Sequence, residues 1–366
     1  MTQVSEPTTD GEIVREHLGH CPVCGSPART MMFDDLTDRV FGVAPGRWTL
    51  HRCGGCDCAY LDPRPNPETI GRAYARYYTH GAGNPKRLPS RRRSLKGWLA
   101  NGELNRGYGY RFPHAAPAWL AAALMRPLDK ARQGAFIRHL PAPSAGASRL
   151  LDVGCGNGDF LQVARDCGYE VTGLEPDPQA VATARSQGLA VEQGTLTSAS
   201  FAADSFDHIT LSHVLEHVHA PAAALAQVLR LLKPGGRLWV SLPSLDAEGL
   251  RQFGADWIGL EPPRHLTLFT VAGLRRLLVE TGFVGIEAPM PDPDASFYFH
   301  GSAAMAAGLD PYAHGALPDA QEVRRRVRQA VHNTLRDPSR NESVTLMAWK
   351  PSPADGRDVG GVLPPT

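Results

Sequence analysis

The second half of the chain alternates between two hydrophobic patterns. From Arg149 onward, short apolar runs typical of buried strands are followed by segments whose apolar residues recur every three or four positions. Because strands and helices alternate in this way, we expect an α/β domain with a parallel sheet. The pattern predicts strands at about 149–153, 170–175, 190–193, 206–213, 237–242, 283–288 and 343–350, and helices at about 158–167, 178–187, 220–232 and 271–281.

The first half lacks this alternation. Strand-like pieces at 29–33 and 48–52 precede a stiff, proline-rich connector at 63–67, which leads to a helix expected at about 68–78. Residues 79–117 are rich in Gly, Pro and Arg and are predicted to be irregular, whereas 118–139 carry a helical pattern. The predicted organisation is a flexible tail (1–17), a cysteine-bearing module (18–65), a helical and irregular linker that could serve as a lid (66–145), the α/β domain (146–350, with an insertion at 289–342 holding one basic helix near 321–335) and a disordered tail (351–366).

Composition narrows the classes of protein. The 366 residues are 42% hydrophobic and carry a net charge of +1, which argues against a strongly basic nucleic-acid-binding protein. No apolar run reaches the length of about 18 residues that a membrane span needs, and residues 1–20 do not resemble a signal peptide. We therefore expect a cytoplasmic protein without membrane contact, in which clustered cysteines bind metal rather than form disulfides.

Four of the seven cysteines form two C-x-x-C pairs, Cys21 with Cys24 and Cys53 with Cys56. Two such pairs can hold one tetrahedral zinc ion, and a site closed by four protein ligands is structural. Residues 18–65 are accordingly predicted to be a zinc ribbon, with Cys58 as a spare ligand. A redox pair and a disulfide remain alternatives, although neither pair opens a thioredoxin-like βαβ unit.

Three glycines at alternate positions follow the first strand of the α/β domain: Gly154, Gly156 and Gly158. Glycine permits a sharp turn and close approach of a ligand, and the helix that follows offers free N–H groups. Glu175 ends the second strand, where a carboxylate can accept both hydroxyls of a ribose. These features alone do not separate nucleotide cofactors from one another.

Two later segments give the pattern its specificity. Residues 212–218 read Ser-His-Val-Leu-Glu-His-Val, and residues 232–236 read Leu-Lys-Pro-Gly-Gly. With the glycine loop and Glu175, residues 149–288 resemble a class I methyltransferase that depends on S-adenosylmethionine (SAM). The resemblance implies a Rossmann-like seven-stranded sheet with helices on both faces and an antiparallel last strand at 343–350. It also implies a set of cofactor-binding residues: Asp152, Gly154, Gly156, Gly158, Glu175, Asp177, Thr195, Leu196 and Ser212.

One position departs from the family pattern. Many relatives have an acidic residue where this chain has Thr195, and that residue holds the adenine amine. The usual contact to adenine is therefore in doubt here. A glycine turn without any ligand is the alternative interpretation of the loop, but the other segments oppose it.

His213, Glu216 and His217 form an H-x-x-E-H pattern at the end of the fourth strand, where ligands of such sheets bind. One histidine could act as a general base, or the three residues could bind a divalent metal that activates an acceptor hydroxyl. They could also simply cap the following helix. His265, in the segment 256–270, is a third candidate base or acceptor contact, with packing of the loop as the alternative.

The segment around His265 carries a "W…PRH…FT" pattern, and residues 60–65 read Tyr-Leu-Asp-Pro-Arg-Pro. Both resemble a bacterial subgroup of methyltransferases that begins with a zinc ribbon. Asp57 and Cys58 depart from the Gly-Leu that is usual after the last cysteine. Three tyrosines follow at helical spacing, and they either pack the ribbon onto the α/β domain or form part of a lid: Tyr74, Tyr77 and Tyr78.

The leading hypothesis is an enzyme that transfers a methyl group from SAM to a small-molecule acceptor, by O-methylation, in bacterial secondary metabolism. N- or C-methylation of a sugar or another metabolite is an alternative. A second hypothesis is an RNA methyltransferase that docks RNA through the ribbon and the basic stretch 84–111, but the near-neutral net charge disfavours nucleic acid. A third is a scaffold without activity, against which the intact glycine loop and Glu175 argue.

Overall fold

The computed structural model describes residues 13–75, 94–144, 148–293, 295–312, 317 and 319–353. Its N-terminal region consists of short antiparallel strands, as the turn-rich sequence predicts. Arg15 and Glu16 lie within the predicted flexible tail but pair with the proline-rich connector, because that connector exposes a free edge. The strands are β1 (Arg15–Glu16), β2 (Arg29–Leu36), β3 (Trp48–Cys53), β4 (Ala59–Leu61) and β5 (Arg64–Pro65).

The linker is more helical than the sequence pattern indicates. Helices α1 (Leu95–Tyr108), α2 (Ala118–Leu124) and α3 (Pro127–Phe136) follow one another. The prediction that 79–117 are irregular is wrong for α1, where Gly102 allows a close approach: a Cβ there would lie 2.6 Å from the carbonyl oxygen of Ala116. The single helix predicted over 118–139 is two helices, because proline favours the first turn of a new helix at Pro127.

The predicted helix at 68–78 is only a 3₁₀ turn over Ile70–Tyr74 in its described part. Tyr77 and Tyr78 lie outside the described residues, as do residues 84–93 of the basic stretch 84–111. The disordered tail predicted from 351 also lies almost wholly outside them. These predictions therefore remain untested, as does the division into domains.

A seven-stranded sheet forms the centre of the second half. It is built from β6 (Arg149–Val153), β7 (Glu170–Glu175), β8 (Val191–Gln193), β9 (Phe206–Ser212), β10 (Leu232–Pro243), β12 (Val284–Glu287) and β13 (Ser343–Trp349), with β11 (Thr267–Leu268) outside it. The strand order is β12-β13-β10-β9-β6-β7-β8. Strand β13 runs antiparallel to both of its neighbours, β10 and β12. Central strands are buried on both faces, which explains their continuous apolar runs. The predicted fold class, Rossmann-like α/β, is confirmed.

The helices of this half are α4 (Asp159–Asp166), α5 (Pro178–Ser186), α6 (Pro221–Leu231), α7 (Glu248–Phe253), α8 (Val271–Thr281), α9 (Ser296–Ala306) and α10 (Ala320–Arg336). The four predicted crossover helices and the basic helix α10 are present. Helix α9 was missed, because its small and aromatic residues show no helical periodicity. No described helix has the length and apolar character needed to cross a membrane.

The ribbon and the α/β domain share a second sheet. Strand β11, which comes directly after His265, pairs with β4, so the sheet order is β11-β4-β3-β2. The backbone N–H of Leu61 also donates to the carbonyl of Leu266, at 3.0 Å. The loop that carries His265 is therefore held by the N-terminal module as well as by its own domain.

Candidate active site and candidate metal centre

The glycine loop joins β6 to α4 at the carboxyl end of the sheet. Gly154 has a φ of +67°, and a Cβ there would lie 2.5 Å from a methyl group of Val214, so a larger residue does not fit. Its N–H donates to the carbonyl of Leu174 at 2.7 Å, which fixes the turn against β7. Gly156 and Gly158 also have positive φ values. The loop thus leaves space beside the N-terminus of α4, as the sequence predicts.

Glu175 ends β7 beside this loop. Its two carboxylate oxygens accept the N–H groups of Gly156 at 2.8 Å and of Asp177 at 3.0 Å. Burial raises the pKa of Glu175, although both N–H groups favour the ionised form. Asp177 caps α5 by accepting the N–H of Gln179, so its side chain has a structural role.

Asp152 lies beneath the loop and has protein partners. Its carboxylate accepts from Arg138 and from the hydroxyl of Thr210, the latter at 2.7 Å, and burial raises its pKa. The guanidinium of Arg138 lies 3.7 Å from the ring centroid of Phe160. Sequence analysis missed Arg138, because it follows α3 in the linker and no motif marks it.

Two clefts of described residues meet at Trp239 and Ala135. The glycine-loop cleft, of about 280 Å³, is lined by residues that include Arg138, Cys155, Phe160 and Ser212. The Glu342 cleft, of about 200 Å³, is lined by residues that include Ser241, Asp292, Tyr298 and Glu342. The two clefts therefore adjoin, with Ala135 and Trp239 forming part of the wall of each.

The remaining predicted cofactor residues lie at the edge of β8. Thr195 hydrogen-bonds through its hydroxyl to Thr197 and Ser198, while Leu196 is buried. Neither residue lines the two clefts described above. Their assignment to adenine therefore rests on the family resemblance.

Glu342 and Tyr298 were not predicted as site residues. The carboxylate of Glu342 accepts the N–H of Gly249 at 2.7 Å and the indole N–H of Trp257 at 2.9 Å. Burial raises the pKa of Glu342 to about 7. Tyr298 hydrogen-bonds to the hydroxyl of Ser343 at 3.1 Å and stacks on Trp257. Trp257 is the first residue of the W…PRH…FT pattern, but nothing in that pattern connects it with Glu342, 85 residues away.

The H-x-x-E-H pattern divides into an exposed and a buried part. The side chain of His213 is 40% exposed, whereas that of Glu216 is fully buried. Nδ1 of His213 lies 3.3 Å from Oε1 of Glu216. Burial acts to raise the pKa of Glu216, but the contact with His213 and the other nearby imidazoles outweighs it, so the pKa is lowered.

His217 and His265 lie together below His213. Their ring centroids are 4.7 Å apart. Nδ1 of His217 lies 3.0 Å from the carbonyl of Arg264 and 3.0 Å from the hydroxyl of Tyr74, and Nδ1 of His265 lies 2.8 Å from the carbonyl of Gly259. Burial lowers the pKa of each imidazole to about 4, so both are neutral near pH 7. We call Glu216, His217 and His265 the histidine cluster.

Arg264 connects the histidine cluster to the ribbon. Its fully buried guanidinium forms two hydrogen bonds to the carboxylate of Asp38, at 2.6 and 3.1 Å, and one to Glu261 at 2.9 Å. It also donates to the carbonyl of Ala73, next to Tyr74. The tyrosine contact and this ion pair could not be predicted, because their partners come from distant parts of the sequence.

The four predicted cysteine ligands converge. Sγ of Cys21 lies 3.6 Å from Sγ of Cys56, and Sγ of Cys24 lies 3.5 Å from Sγ of Cys53. Sulfur atoms around one tetrahedral zinc ion with bonds of about 2.3 Å lie about 3.8 Å apart, whereas a disulfide joins them at about 2.05 Å. Cys58 is buried outside this group. The arrangement fits a four-thiolate metal site.

Comparison with known proteins shows what the α/β half is similar to. The sequence profile of a family described as "Methyltransferase domain" matches residues 114–288. A ubiquinone biosynthesis O-methyltransferase of Xanthomonas oryzae pv. oryzae is 38% identical over 129 residues, which are 33% of this chain and 54% of that protein. A protein of the same name from Thiobacillus denitrificans is 32% identical over 154 residues, 38% of this chain and 66% of that protein. The chain thus spans only about half to two thirds of these relatives.

Among solved structures, a SAM-dependent methyltransferase from Mesorhizobium loti is 22% identical. It aligns over 60% of this chain and 97% of its own, with a TM-score of 0.40. The fold assignment rests on the strand order, and the resemblance to methyltransferases rests on the sequence matches. Residues 114–288 thus match a methyltransferase domain.

Proposed function

We propose that this protein transfers the methyl group of SAM to the oxygen of a small-molecule acceptor. The observation that carries the proposal is the position of Glu175, whose carboxylate is held by two backbone N–H groups beside the glycine loop. Each carboxylate oxygen keeps a lone pair for a ribose hydroxyl. When bound, SAM would supply an electrophilic methyl group.

The two clefts suggest how cofactor and acceptor would be arranged. The cofactor would be held at the glycine loop by Gly154, Gly156, Gly158 and Glu175, which do not themselves line the glycine-loop cleft. Ser212 lines the cleft and would connect it to this site, with Asp152 and Arg138 supporting the loop from below. The acceptor would occupy the Glu342 cleft, which adjoins at Trp239. Contact between the two ligands is what an in-line transfer needs, because alignment supplies much of the rate enhancement.

The lining of the Glu342 cleft favours an uncharged acceptor. It contains two carboxylates, Asp292 and Glu342, and several hydroxyls, but no lysine or arginine among its described lining residues. An anionic acceptor would be repelled there, whereas a compact molecule with hydroxyl groups would find hydrogen-bond partners. The relatives named as O-methyltransferases support transfer to oxygen, and an acceptor from bacterial secondary metabolism fits this proposal.

His213 is the best placed general base of the three predicted histidines. It is the exposed one, and Glu216 faces its Nδ1, which leaves Nε2 for a proton from the acceptor. His217 and His265 each use Nδ1 on a backbone carbonyl and are buried, which makes them poorer candidates. We expect His213→Ala to lower kcat by about 100-fold or more, with little effect on the affinity for SAM.

The cysteine site is proposed to hold a structural zinc ion. The N–H groups of Val23 and Gly55 donate to Sγ of Cys21 and of Cys53, at 3.4 and 3.3 Å, which orients the thiolates. Elemental analysis of purified protein is expected to give one zinc per chain. A Cys24→Ser variant that retained full zinc content would contradict this proposal.

Methyl transfer from labelled SAM tests the proposed reaction. Purified full-length protein is incubated with a bacterial extract, which is then separated into small-molecule, RNA and protein fractions. We expect label in the small-molecule fraction, reduced more than about tenfold by Glu175→Gln and unchanged by Glu170→Gln, an exposed carboxylate on the same strand. Label in RNA alone would overturn the small-molecule assignment, and mass analysis of the product would identify the methylated atom.

A further inference from the structure

In the histidine cluster, Nδ1 of His217 and of His265 each lies within hydrogen-bond distance of a backbone carbonyl, and Nδ1 of His217 also lies 3.0 Å from the hydroxyl of Tyr74. A carbonyl can only accept, so the neutral tautomer with its proton on Nδ1 satisfies that carbonyl and leaves a lone pair on Nε2. Nε2 of His217 lies 4.0 Å from Oε1 of Glu216. Both oxygens of Glu216 are buried and accept no hydrogen bond from the described residues, and the nearest imidazole nitrogen, Nδ1 of His213, lies 3.3 Å from Oε1.

Such an arrangement is unfavourable unless a positive species lies between the groups. A buried carboxylate that accepts no hydrogen bond is strongly unfavourable when it is ionised. The guanidinium of Arg264 does not compensate the charge of Glu216, since it is already bonded to Asp38 and Glu261. The lone pairs of two imidazoles and one carboxylate therefore meet at a place that suits a cation.

We propose that Glu216, His217 and His265 bind a divalent transition-metal ion, separate from the four-cysteine site. Their ligand atoms all lie within 4.8 Å of one another. Ligands bonded to one ion at about 2.0–2.2 Å are at most about 4.4 Å apart, so small side-chain rotations complete the site. Two imidazoles and one carboxylate suit first-row metals and leave coordination positions open.

The surroundings of the cluster match those of metal-binding histidines. In such sites the second ring nitrogen donates to a carbonyl or carboxylate, which fixes the tautomer and the ring orientation. The carbonyls of Arg264 and Gly259 do this here. The backbone also joins the segment of Glu216 and His217 to the segment of His265, because the N–H of Leu266 donates to the carbonyl of Glu216 at 2.8 Å.

The ligand set differs from the one that the H-x-x-E-H pattern predicts. His265 takes the third place, and His213 lies at the edge of the group, half exposed. An ion would reach the cluster past His213 and His217, whose side chains are 40% and 15% exposed. The proposal is independent of the methyl-transfer reaction, since metal binding is measured without SAM or acceptor.

Cobalt titration of full-length protein that carries one zinc ion per chain, in the four-cysteine site, tests the proposal. We expect one Co²⁺ per chain, with visible absorption typical of nitrogen and oxygen ligands, while the zinc content stays unchanged. His265→Asn keeps a donor for the carbonyl of Gly259 but removes Nε2, and should weaken Co²⁺ binding by more than about 100-fold. His300→Ala, an exposed histidine on α9, should leave binding unchanged.

Two results would overturn the assignment. The first is a wild type that binds no Co²⁺ at millimolar concentration while it retains its zinc and its unfolding midpoint, which would mean that the cluster holds a proton instead. The second is a loss of Co²⁺ affinity in His213→Ala as large as the loss in His265→Asn, which would indicate that the H-x-x-E-H residues bind the ion. Should His265→Asn fail to fold, Glu216→Gln, which keeps the size of the side chain, gives the same comparison.

Discussion

The glycine-loop cleft and the histidine cluster are both at the carboxyl end of the sheet, but they are assembled differently. The predicted cofactor site beside the cleft takes most of its residues from one stretch, Asp152–Asp177, which belongs to a single βαβ unit. The cluster takes its residues from the loop after β9 and the loop after β10, and it is supported by Asp38 of the ribbon and Tyr74 of the linker. A site within one unit is encoded locally, whereas a site between three segments depends on how they pack.

The largest expected effect is the loss of unfolding free energy when the buried ion pairs beside the histidine cluster are broken. Arg264→Met leaves the buried carboxylates of Asp38 and Glu261 without their partner, so the free energy of unfolding should fall by about 3–5 kcal/mol. Arg276→Met removes an exposed ion pair with Glu280 and should cost less than about 1 kcal/mol. Denaturant unfolding of both variants measures the difference, and equal losses would mean that Arg264 does not hold the cluster in place.

The pH dependence of stability tests a buried histidine in the central sheet, beside the glycine-loop cleft. Burial and the charge of Arg237 lower the pKa of His208, on β9, to about 3. Between pH 6.5 and 4 the unfolded chain then binds a proton that the folded chain does not, so stability falls as the pH falls. This contribution is about 1.4 kcal/mol per pH unit.

His208→Gln should therefore flatten the dependence of the unfolding free energy on pH, measured between pH 7 and 4.5. His300→Gln is the matched control, because His300 is exposed. An identical slope in wild type and His208→Gln would show that His208 already takes up its proton in the folded protein.

The smallest expected effect concerns the contact between Tyr74 of the linker and His217. Tyr74→Phe removes one hydrogen bond to His217, which should cost about 1 kcal/mol, or roughly fivefold in Co²⁺ affinity. The affinity for SAM should not change, since Tyr74 does not line the glycine-loop cleft. A change in SAM affinity with unchanged cobalt binding would reverse the assignment of Tyr74 and favour its role in a lid.

The contrast also explains what the sequence could predict. Strands from β6 to β9 and helices α4 to α6 follow from local periodicity, and the glycine turn and Glu175 follow from their spacing along one unit. Helix α1 was missed because its glycines weaken the helical pattern, and the packing of Gly102 against Ala116 is not visible in the sequence. The partner of His265 at the cluster is Glu216, which is 49 positions earlier, and periodicity carries no information over that separation.

Cysteine pairs are the exception among distant contacts. Cys24 and Cys53 are 29 positions apart, yet their meeting was predicted, because each C-x-x-C pair has a known chemical purpose. Arg264 and Asp38 are 226 positions apart and carry no such signature. A long-range contact can be predicted when chemistry restricts the partner, and not when any carboxylate would serve.

Equilibrium titration with SAM tests the central claim most directly, because it needs neither acceptor nor metal. The wild type is expected to bind one SAM per chain. Glu175→Gln should bind it about 10–100-fold more weakly, since charged hydrogen bonds to the ribose contribute about 1.5–3 kcal/mol, and Glu170→Gln should match the wild type. Absence of SAM binding by folded wild-type protein, or equal binding by the two variants, would contradict the account.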